Sequence, residues 1–318
     1  MTPHPPPFDQ AQRYEVVAAL ARESGARTIL DVGGFHKPAG KEPPLPVRSA
    51  CPGLWAAVVD VQAPEPDTPG TAVRYVRGDA YRLPLASRSF DVVSCLDVVE
   101  HVPRELRPGV VSELLRVARD YVIVCCPTAD DGAAEEERVV SGFVRNSIGA
   151  EQEQLAEHER FGLPSNAEMI ASLPAETRTF GFGSLACWRL MMLAKYAFIA
   201  LPHSAAMSAA LDAGYQAHAG KADRVPPFYR RFYLAPARDD APLAPIEAVL
   251  SSFAPLPSSR PVGEAALAAW VFSLLVEADP ARRAAERSPL EEKIAALEGA
   301  FQEVESSLVY RLYRLFRR

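Results

Sequence analysis

The sequence predicts an α/β fold, in which helices cover both faces of a seven-stranded, mostly parallel sheet. Short apolar runs alternate with helical patterns in the first half of the chain, and these runs are almost continuously apolar. Glycine or aspartate directly follows several of the runs. Strands that are apolar on both sides need helices on both faces, so polar chemistry is expected at the carboxyl ends of the strands.

The first element is a helix, predicted over residues 9–24 because Tyr14, Val17 and Ala21 share one face and Gly25 suits the position after a helix end. Seven apolar runs are then predicted as strands: 28–32, 54–61, 72–76, 90–95, 121–126, 177–182 and 227–234. The lengths of these runs are ordinary for strands, and turn residues bound most of them.

Further helices are predicted between the strands. Residues 104–119 carry apolar side chains at helical spacing, and the acidic stretch 134–137 leads into another helix. Residues 188–219 are apolar and helical, which predicts a helical insert at about 184–226 between the last two strands. Its aromatic and methionine side chains are expected in the core, with a lid over the sheet edge as the alternative.

Three parts of the chain are predicted: a main domain over 8–240, a helical extension over 241–286 and a coiled-coil-like basic tail over 287–318. Apolar residues of the tail alternate at intervals of four and three: Leu290, Ile294, Leu297, Phe301, Val304 and Leu308. Four arginines follow: Arg311, Arg314, Arg317 and Arg318. The tail favours a homodimer; packing onto the domain and peripheral contact with the inner face of the membrane are the alternatives.

Composition excludes several classes of protein. The 318 residues carry a formal net charge of −6, so a nucleic-acid partner is not expected. Five cysteines without a C-x-x-C pair argue against a disulfide framework, and no cluster has metal-ligand spacing, so no metal is predicted. The N-terminus does not resemble a signal peptide, and Arg189 and Lys195 interrupt the longest apolar stretch. A cytoplasmic protein is expected.

Small and acidic residues follow the first three strands. Gly33 and Gly34 follow the first strand, Asp60 ends the second, and Asp79 follows the third. Glycines let the backbone approach a ligand, and an acid can accept hydrogen bonds from ribose hydroxyls or from an exocyclic amine. The pattern therefore predicts a nucleoside-type ligand; the alternative is a set of turn-forming and capping residues without a ligand.

These residues lie in a longer series of motifs, over residues 10–128: Asp31-Val32-Gly33-Gly34, Asp60, Gly78-Asp79-Ala80, Phe90-Asp91-Val92-Val93 and Asp97-Val98-Val99-Glu100-His101-Val102. The series resembles the class I S-adenosylmethionine-dependent methyltransferases, and especially the broad methyltransferase-11-like group. The resemblance implies a Rossmann-like fold and S-adenosyl-L-methionine as cofactor. It also implies roles for residues: Asp31, Gly33, Gly34, Leu96 and Asp97 with the methionine part, Asp60 with the ribose, and Asp79 and Ala80 with the adenine.

The glycine turn departs from that family pattern. Two further glycines are usual there, and this chain has Phe35 and Lys37 in those places. The bulk of Phe35 either narrows the turn or marks a subgroup with another backbone path. A dinucleotide-dependent dehydrogenase is disfavoured, because no complete G-x-G-x-x-G opens a helix here.

A later segment bears on the methyl acceptor. Glu157-His158-Glu159 and Pro227-Phe228-Tyr229-Arg230 resemble methyltransferase-like proteins that are associated with bacterial glycosyltransferases and surface-polysaccharide synthesis. That resemblance implies a sugar hydroxyl as acceptor. Methyl transfer to a hydroxyl needs a general base, and histidine suits that role near neutral pH.

His158 is the first candidate for the base and His101 the second. The alternatives are a solvent-exposed helix position for His158 and a capping or packing role for His101. Arg160 and Arg230 are candidates for holding a phosphate or carboxylate of the acceptor, although surface salt bridges would explain both.

The sequence thus favours a methyltransferase that modifies oxygen on a sugar or glycan precursor. Two alternatives remain open at this stage. One is a degenerate methyltransferase fold that serves as a scaffold in glycan synthesis, and the other is a methyltransferase for a small metabolite or another protein.

Overall fold

Seven strands form one sheet in the order β3-β2-β1-β4-β5-β7-β6. The computed structural model describes residues 6–35, 46–62, 73–199, 204–220, 223–256 and 262–277. The strands are β1 (Thr28–Val32), β2 (Trp55–Asp60), β3 (Val73–Arg77), β4 (Phe90–Leu96), β5 (Ala118–Pro127), β6 (Arg178–Ser184) and β7 (Phe228–Pro236). β1 to β5 run parallel, whereas β7 is antiparallel to both β5 and β6. The predicted seven-stranded, mostly parallel Rossmann-like sheet is confirmed.

Helices connect the strands. They are α1 (Phe8–Ser24), α2 (Pro46–Ala50), α3 (Arg107–Val117), α4 (Ala133–Ile148), α5 (Glu153–Phe161), α6 (Asn166–Ala171), α7 (Leu185–Ile199), α8 (Ser204–His218), α9 (Ala244–Ser252) and α10 (Val262–Glu277). The predicted insert between the last two strands is present as the pair α7 and α8. Lys37 and the predicted tail at 287–318 lie outside the described residues, so those predictions stay predictions.

Apolar side chains on the two faces of the sheet build two cores. Ile29 and Leu30 are both fully buried, but they belong to opposite cores because successive strand residues point to opposite faces. One core includes residues of α1 and α9, and the other includes residues of α3. Burial on both faces explains why the central parallel strands are almost continuously apolar.

The boundaries differ from the predicted ones mainly where the helices begin and end. Helix α3 is shorter than the predicted 104–119, because Arg104–Leu106 forms a separate 3-10 turn and β5 already begins at Ala118.

The described residues up to Val271 form one compact unit, and Phe272 begins a second. In the described part of the chain, no helix is long and apolar enough to cross a membrane.

The topology brings the motif residues to one side of the sheet. The carboxyl ends of β3, β2, β1, β4 and β5 succeed one another in space along one edge. β7 runs in the opposite direction, so its beginning lies at that edge too, with Arg230 opposite Pro127 in the register. Ligands of open α/β sheets bind at this edge.

Candidate cofactor and catalytic site

The turn after β1 has no room for side chains. Gly33 has a φ of 76°, and a Cβ built on it would lie 2.2 Å from Cγ2 of Val98. A Cβ on Gly34 would lie 2.1 Å from Oδ2 of Asp31. The Gly33 amide donates to the carbonyl oxygen of Val59 at 2.7 Å, which ties the turn to β2. Both glycines are therefore required for this close backbone path.

Asp31 lies beneath that turn. Its carboxylate is completely buried and accepts hydrogen bonds from the hydroxyls of Tyr14 at 2.6 Å and Ser94 at 2.8 Å. Burial raises the pKa of Asp31 to about 6, against the hydrogen bonds, which favour the charged form. Both carboxylate oxygens are thus used by hydroxyl groups of the chain, and the carboxylate packs against Gly34. The predicted role of Asp31 with the methionine part of the cofactor stays a prediction.

Asp60 faces the same turn from β2. Its carboxylate accepts from the backbone amide of Phe35 at 3.3 Å and from that of Gln62 at 2.9 Å. Phe35 is half-buried and packs edge-on against Tyr75, with ring centroids 5.8 Å apart. The glycine turn and Asp60 are thus brought together as predicted, with Phe35 as an apolar wall beside them.

Asp79 is exposed and follows β3. It forms a small antiparallel bridge with Arg82, whose amide donates to the carbonyl oxygen of Asp79 at 3.0 Å, and Ala80 beside it is half-buried. The amide of Gly78 donates to the carbonyl oxygen of Asp60 at 3.0 Å, so the ends of β2 and β3 are joined. An exposed carboxylate at this strand end is free to accept from a ligand.

Asp97 has a different environment from the one expected. It follows the buried Leu96, has a φ of 54°, and lies between two arginines. Nη1 of Arg13 is 2.9 Å from its carboxylate, and Arg230 makes contacts of 2.8 Å through Nε and 2.6 Å through Nη2. Burial alone would raise the pKa of Asp97, but the two guanidinium groups hold it below its usual value.

Arg230 is therefore not a surface residue. Its side chain is only 6% exposed, and Asp9 completes the cluster at 3.3 Å from Arg13 and 3.9 Å from Arg230. Arg160, by contrast, is exposed, and its guanidinium lies 5.2 Å from the ring centroid of Phe161. The sequence offered no signal for the pairing of Arg13 with Asp97, because the two residues lie on different elements.

The two predicted histidines form one cluster. His101 ends a 3-10 turn (Val99–His101) directly after β4, and His158 lies on α5. Their Nε2 atoms are 3.3 Å apart. Nδ1 of His101 is 2.7 Å from Glu157, and Nδ1 of His158 is 2.9 Å from Glu137 on α4. With 6% of its side chain exposed, His158 is not the solvent-exposed helix residue that was the alternative.

Two further residues of this cluster escaped sequence analysis. Tyr229 stacks on Trp188 at a centroid distance of 3.8 Å and donates to Glu137 at 2.6 Å. Glu100 is completely buried, and no other described residue donates a hydrogen bond to its carboxylate oxygens. Its Oε1 lies 4.0 Å from Nε2 of His158. The sequence could have pointed to Glu100 through its position, because it directly precedes the candidate base His101 after β4.

The surroundings of the two histidines shift their pKa values in opposite directions, down for His101 and up for His158. Burial raises the pKa of Glu100 to about 8, and the charge of Asp97 adds to that rise. The pKa of His101 is lowered by burial and by His158. For His158, burial works in the lowering direction, but Glu137 and Glu100 outweigh it and raise the pKa.

Comparisons with known proteins bear on the family resemblance of the chain. A family model described as a methyltransferase domain matches residues 54–126, which confirms the predicted resemblance. No curated protein matches the chain significantly.

Three solved structures illustrate the similarity. The mitomycin 7-O-methyltransferase is 18% identical, with 54% of this chain and 49% of that chain covered and a TM-score of 0.37. The magnesium protoporphyrin IX methyltransferase of Synechocystis PCC 6803, with bound S-adenosylhomocysteine, is 17% identical (51% and 71% covered, TM-score 0.34). The plantazolicin methyltransferase, also with S-adenosylhomocysteine, is 10% identical (73% and 85% covered, TM-score 0.43). This chain thus spans about half the length of the mitomycin enzyme.

Gly34→Ala tests the crowding of the turn. The added methyl group would collide with Asp31, so we expect a loss of about 1–3 kcal/mol in the free energy of unfolding. Gly142→Ala is the matched control, since Gly142 lies within α4 and a Cβ there would meet no atom within 4 Å. Denaturant unfolding measures both variants, and equal stability of the two would contradict the packing argument.

Asp31→Asn tests the buried carboxyl group. Between the usual pKa of 3.8 and the folded value of about 6, the folded chain holds a proton that the unfolded chain has released. The contribution of this carboxyl group to the free energy of unfolding is therefore fully present below pH 4 and is lost as the pH rises through 6. The loss amounts to about 3 kcal/mol in total. Denaturant unfolding from pH 4 to 7 should show the difference between wild type and variant falling by about that amount. A difference between wild type and Asp31→Asn that stays constant over this pH range would reject the assignment.

Asp97→Ala tests the buried ion pairs. Removing this carboxylate leaves Arg13 and Arg230 buried without their main partner, which should cost about 3–5 kcal/mol of stability. Glu247→Ala is the control, because it breaks an exposed pair with Arg178 and should cost no more than about 1 kcal/mol. Similar thermal or denaturant midpoints for the two variants would show that the cluster is not a structural anchor.

Proposed function

We propose that the protein is an S-adenosylmethionine-dependent methyltransferase that methylates a hydroxyl oxygen of a sugar or another small molecule. The observation that carries the proposal is the contact of Asp60 with the turn after β1, at the carboxyl edge of a sheet in this strand order. The match of residues 54–126 to a methyltransferase domain supports the same function. The cytoplasm remains the predicted location.

The donor set at this edge fits the chemistry of the proposed cofactor. Asp60 offers carboxylate oxygens for the two hydroxyls of the ribose, and the exposed Asp79 offers an acceptor for the adenine amine. The backbone at Gly33 and Gly34 would hold the methionine part, with Leu96 closing the apolar side. Because Asp97 is neutralised by two arginines, we assign it to shaping this side of the site.

When bound, the cofactor supplies an activated methyl group on a sulfonium. The acceptor oxygen forms a bond to that methyl carbon as the sulfur–carbon bond breaks, so the acceptor proton has to leave. His101 and His158 lie beyond β4, next to the proposed cofactor side, and we assign this cluster to taking up the proton. His101 is the member that an acceptor can reach, since 23% of its side chain is exposed against 6% for His158.

A scaffold protein without cofactor binding is the second candidate. It is favoured by Phe35, whose half-buried ring takes up space in the glycine turn. In that case the fold would serve for assembly. A homodimer or a membrane contact through residues 287–318 would belong to either function and stays a prediction.

Calorimetric titration with S-adenosylmethionine and S-adenosylhomocysteine separates the two candidates. We expect binding by the wild-type chain, and affinity about 10- to 100-fold lower for Asp60→Ala, because hydrogen bonds to a charged group are lost. Asp240→Ala should bind like the wild type, since Asp240 follows β7 at the other edge of the sheet. Absence of binding at millimolar ligand would leave the scaffold as the function.

A further inference from the structure

We propose that Glu100, His101 and His158 bind a divalent transition-metal ion. One ligand atom from each side chain lies within 4.8 Å of the others. The three residues come from two separate elements, the 3-10 turn after β4 and helix α5. Their spacing in the sequence gave no hint of such a site, which forms only when α5 packs against the turn.

Glu100 carries the argument. Its side chain is completely buried, yet no other residue of the described chain donates a hydrogen bond to either carboxylate oxygen. A buried carboxylate without partners is expensive, and protonation would only leave a hydroxyl that still lacks an acceptor. The carboxylate oxygen Oε1 is instead 4.0 Å from Nε2 of His158, on the side where the two imidazoles meet. A cation there satisfies the group.

The carboxylates behind the histidines point to the same conclusion. Glu157 binds Nδ1 of His101, and Glu137, itself held by Tyr229, binds Nδ1 of His158. A carboxylate on Nδ1 keeps the proton there and leaves the lone pair of Nε2 available. Metal-bound histidines almost always donate their other ring N–H to a carboxylate, a backbone carbonyl or water. Here a carboxylate takes that position on both histidines, and the two Nε2 atoms lie 3.3 Å apart.

The distance between the two Nε2 atoms fits an ion. Two nitrogens at about 2.0–2.1 Å from a tetrahedral zinc lie roughly 3.3–3.4 Å apart. The observed separation is 3.3 Å. A hydrogen bond between the two nitrogens would need a second proton on one ring, and even an imidazolium at His158 would lie 4.0 Å from Glu100, too far for a hydrogen bond. A small movement of the Glu100 carboxylate completes a three-ligand site.

The chemistry of the three ligands limits which metal ions can bind at this site. Two imidazoles and one carboxylate suit zinc, manganese or ferrous iron better than magnesium or calcium, which prefer oxygen ligands. Three protein ligands leave a coordination position open. Resting on the proposed function, that position would take the acceptor oxygen: its proton leaves to water, and the oxygen is held for attack on the methyl group. In the metal-bound state both Nε2 atoms are ligands, so the ion would take over from a free imidazole the role of promoting loss of the acceptor proton.

Ion binding can be measured without cofactor or acceptor. The full-length chain is stripped with a chelator and titrated in a calorimeter with Zn²⁺ and, separately, with Mn²⁺. We expect one site per chain with micromolar affinity or better for at least one of them, and a raised melting temperature on loading. Glu100→Gln and His101→Ala should each weaken binding at least tenfold.

Two matched controls accompany these variants. Glu247→Gln changes an exposed glutamate, and His218→Ala removes a histidine of α8; both should bind the ion like the wild type. Circular dichroism verifies that each variant is folded, and Glu100→Gln keeps the volume of the side chain. No binding at millimolar ion, or affinity unchanged in both Glu100→Gln and His101→Ala, would overturn the proposal. A failed titration with S-adenosylmethionine would affect only the proposed function.

Discussion

The carboxyl edge of the sheet depends on the pairing of Asp97 with Arg13 and Arg230. This contact joins α1, the turn after β4, and the beginning of β7 in one buried cluster. The left-handed backbone at Asp97 is unusual for a residue other than glycine, and two guanidinium groups on its carboxylate give a physical reason for it. With Asp97 fixed in this position, the residues that follow it are placed as well. Val98 packs against Gly33, and Glu100 and His101 face α5.

The local parts of this arrangement could be predicted from the sequence. Apolar runs and glycines identified the seven strands that the described residues form, because burial on both faces and tight turns are reflected directly in the residue types. The location of Asp60 and Asp79 at the carboxyl edge could be predicted, because the end of a strand determines the edge of the sheet on which a residue lies. The resemblance to methyltransferases added roles to the same positions, and the match over 54–126 lies within the predicted span.

The long-range pairings could not be predicted. Arg230 follows a tyrosine at the start of a strand and looked like a surface residue, but the antiparallel course of β7 turns it towards Asp97. His158 lies in a run of charged residues that suggested solvent exposure. Only the packing of α5 against α4 and the turn after β4 buries it beside Glu137. Such contacts join residues far apart in the chain, and helical or strand periodicity carries no information on them.

Three buried carboxylates at this edge, those of Asp31, Asp97 and Glu100, differ in whether the surrounding residues explain their burial. Asp31 is buried with a hydroxyl on each oxygen, and Asp97 with arginines, so their surroundings account for both. Glu100 is equally buried, and no other residue of the described part of the chain donates a hydrogen bond to its oxygens. Folding alone would favour an apolar residue there, because a buried carboxyl group without partners lowers stability. Since Val98 links the glycine turn to the turn that carries Glu100, the group left unsatisfied lies next to the proposed cofactor side, where a ligand can use it.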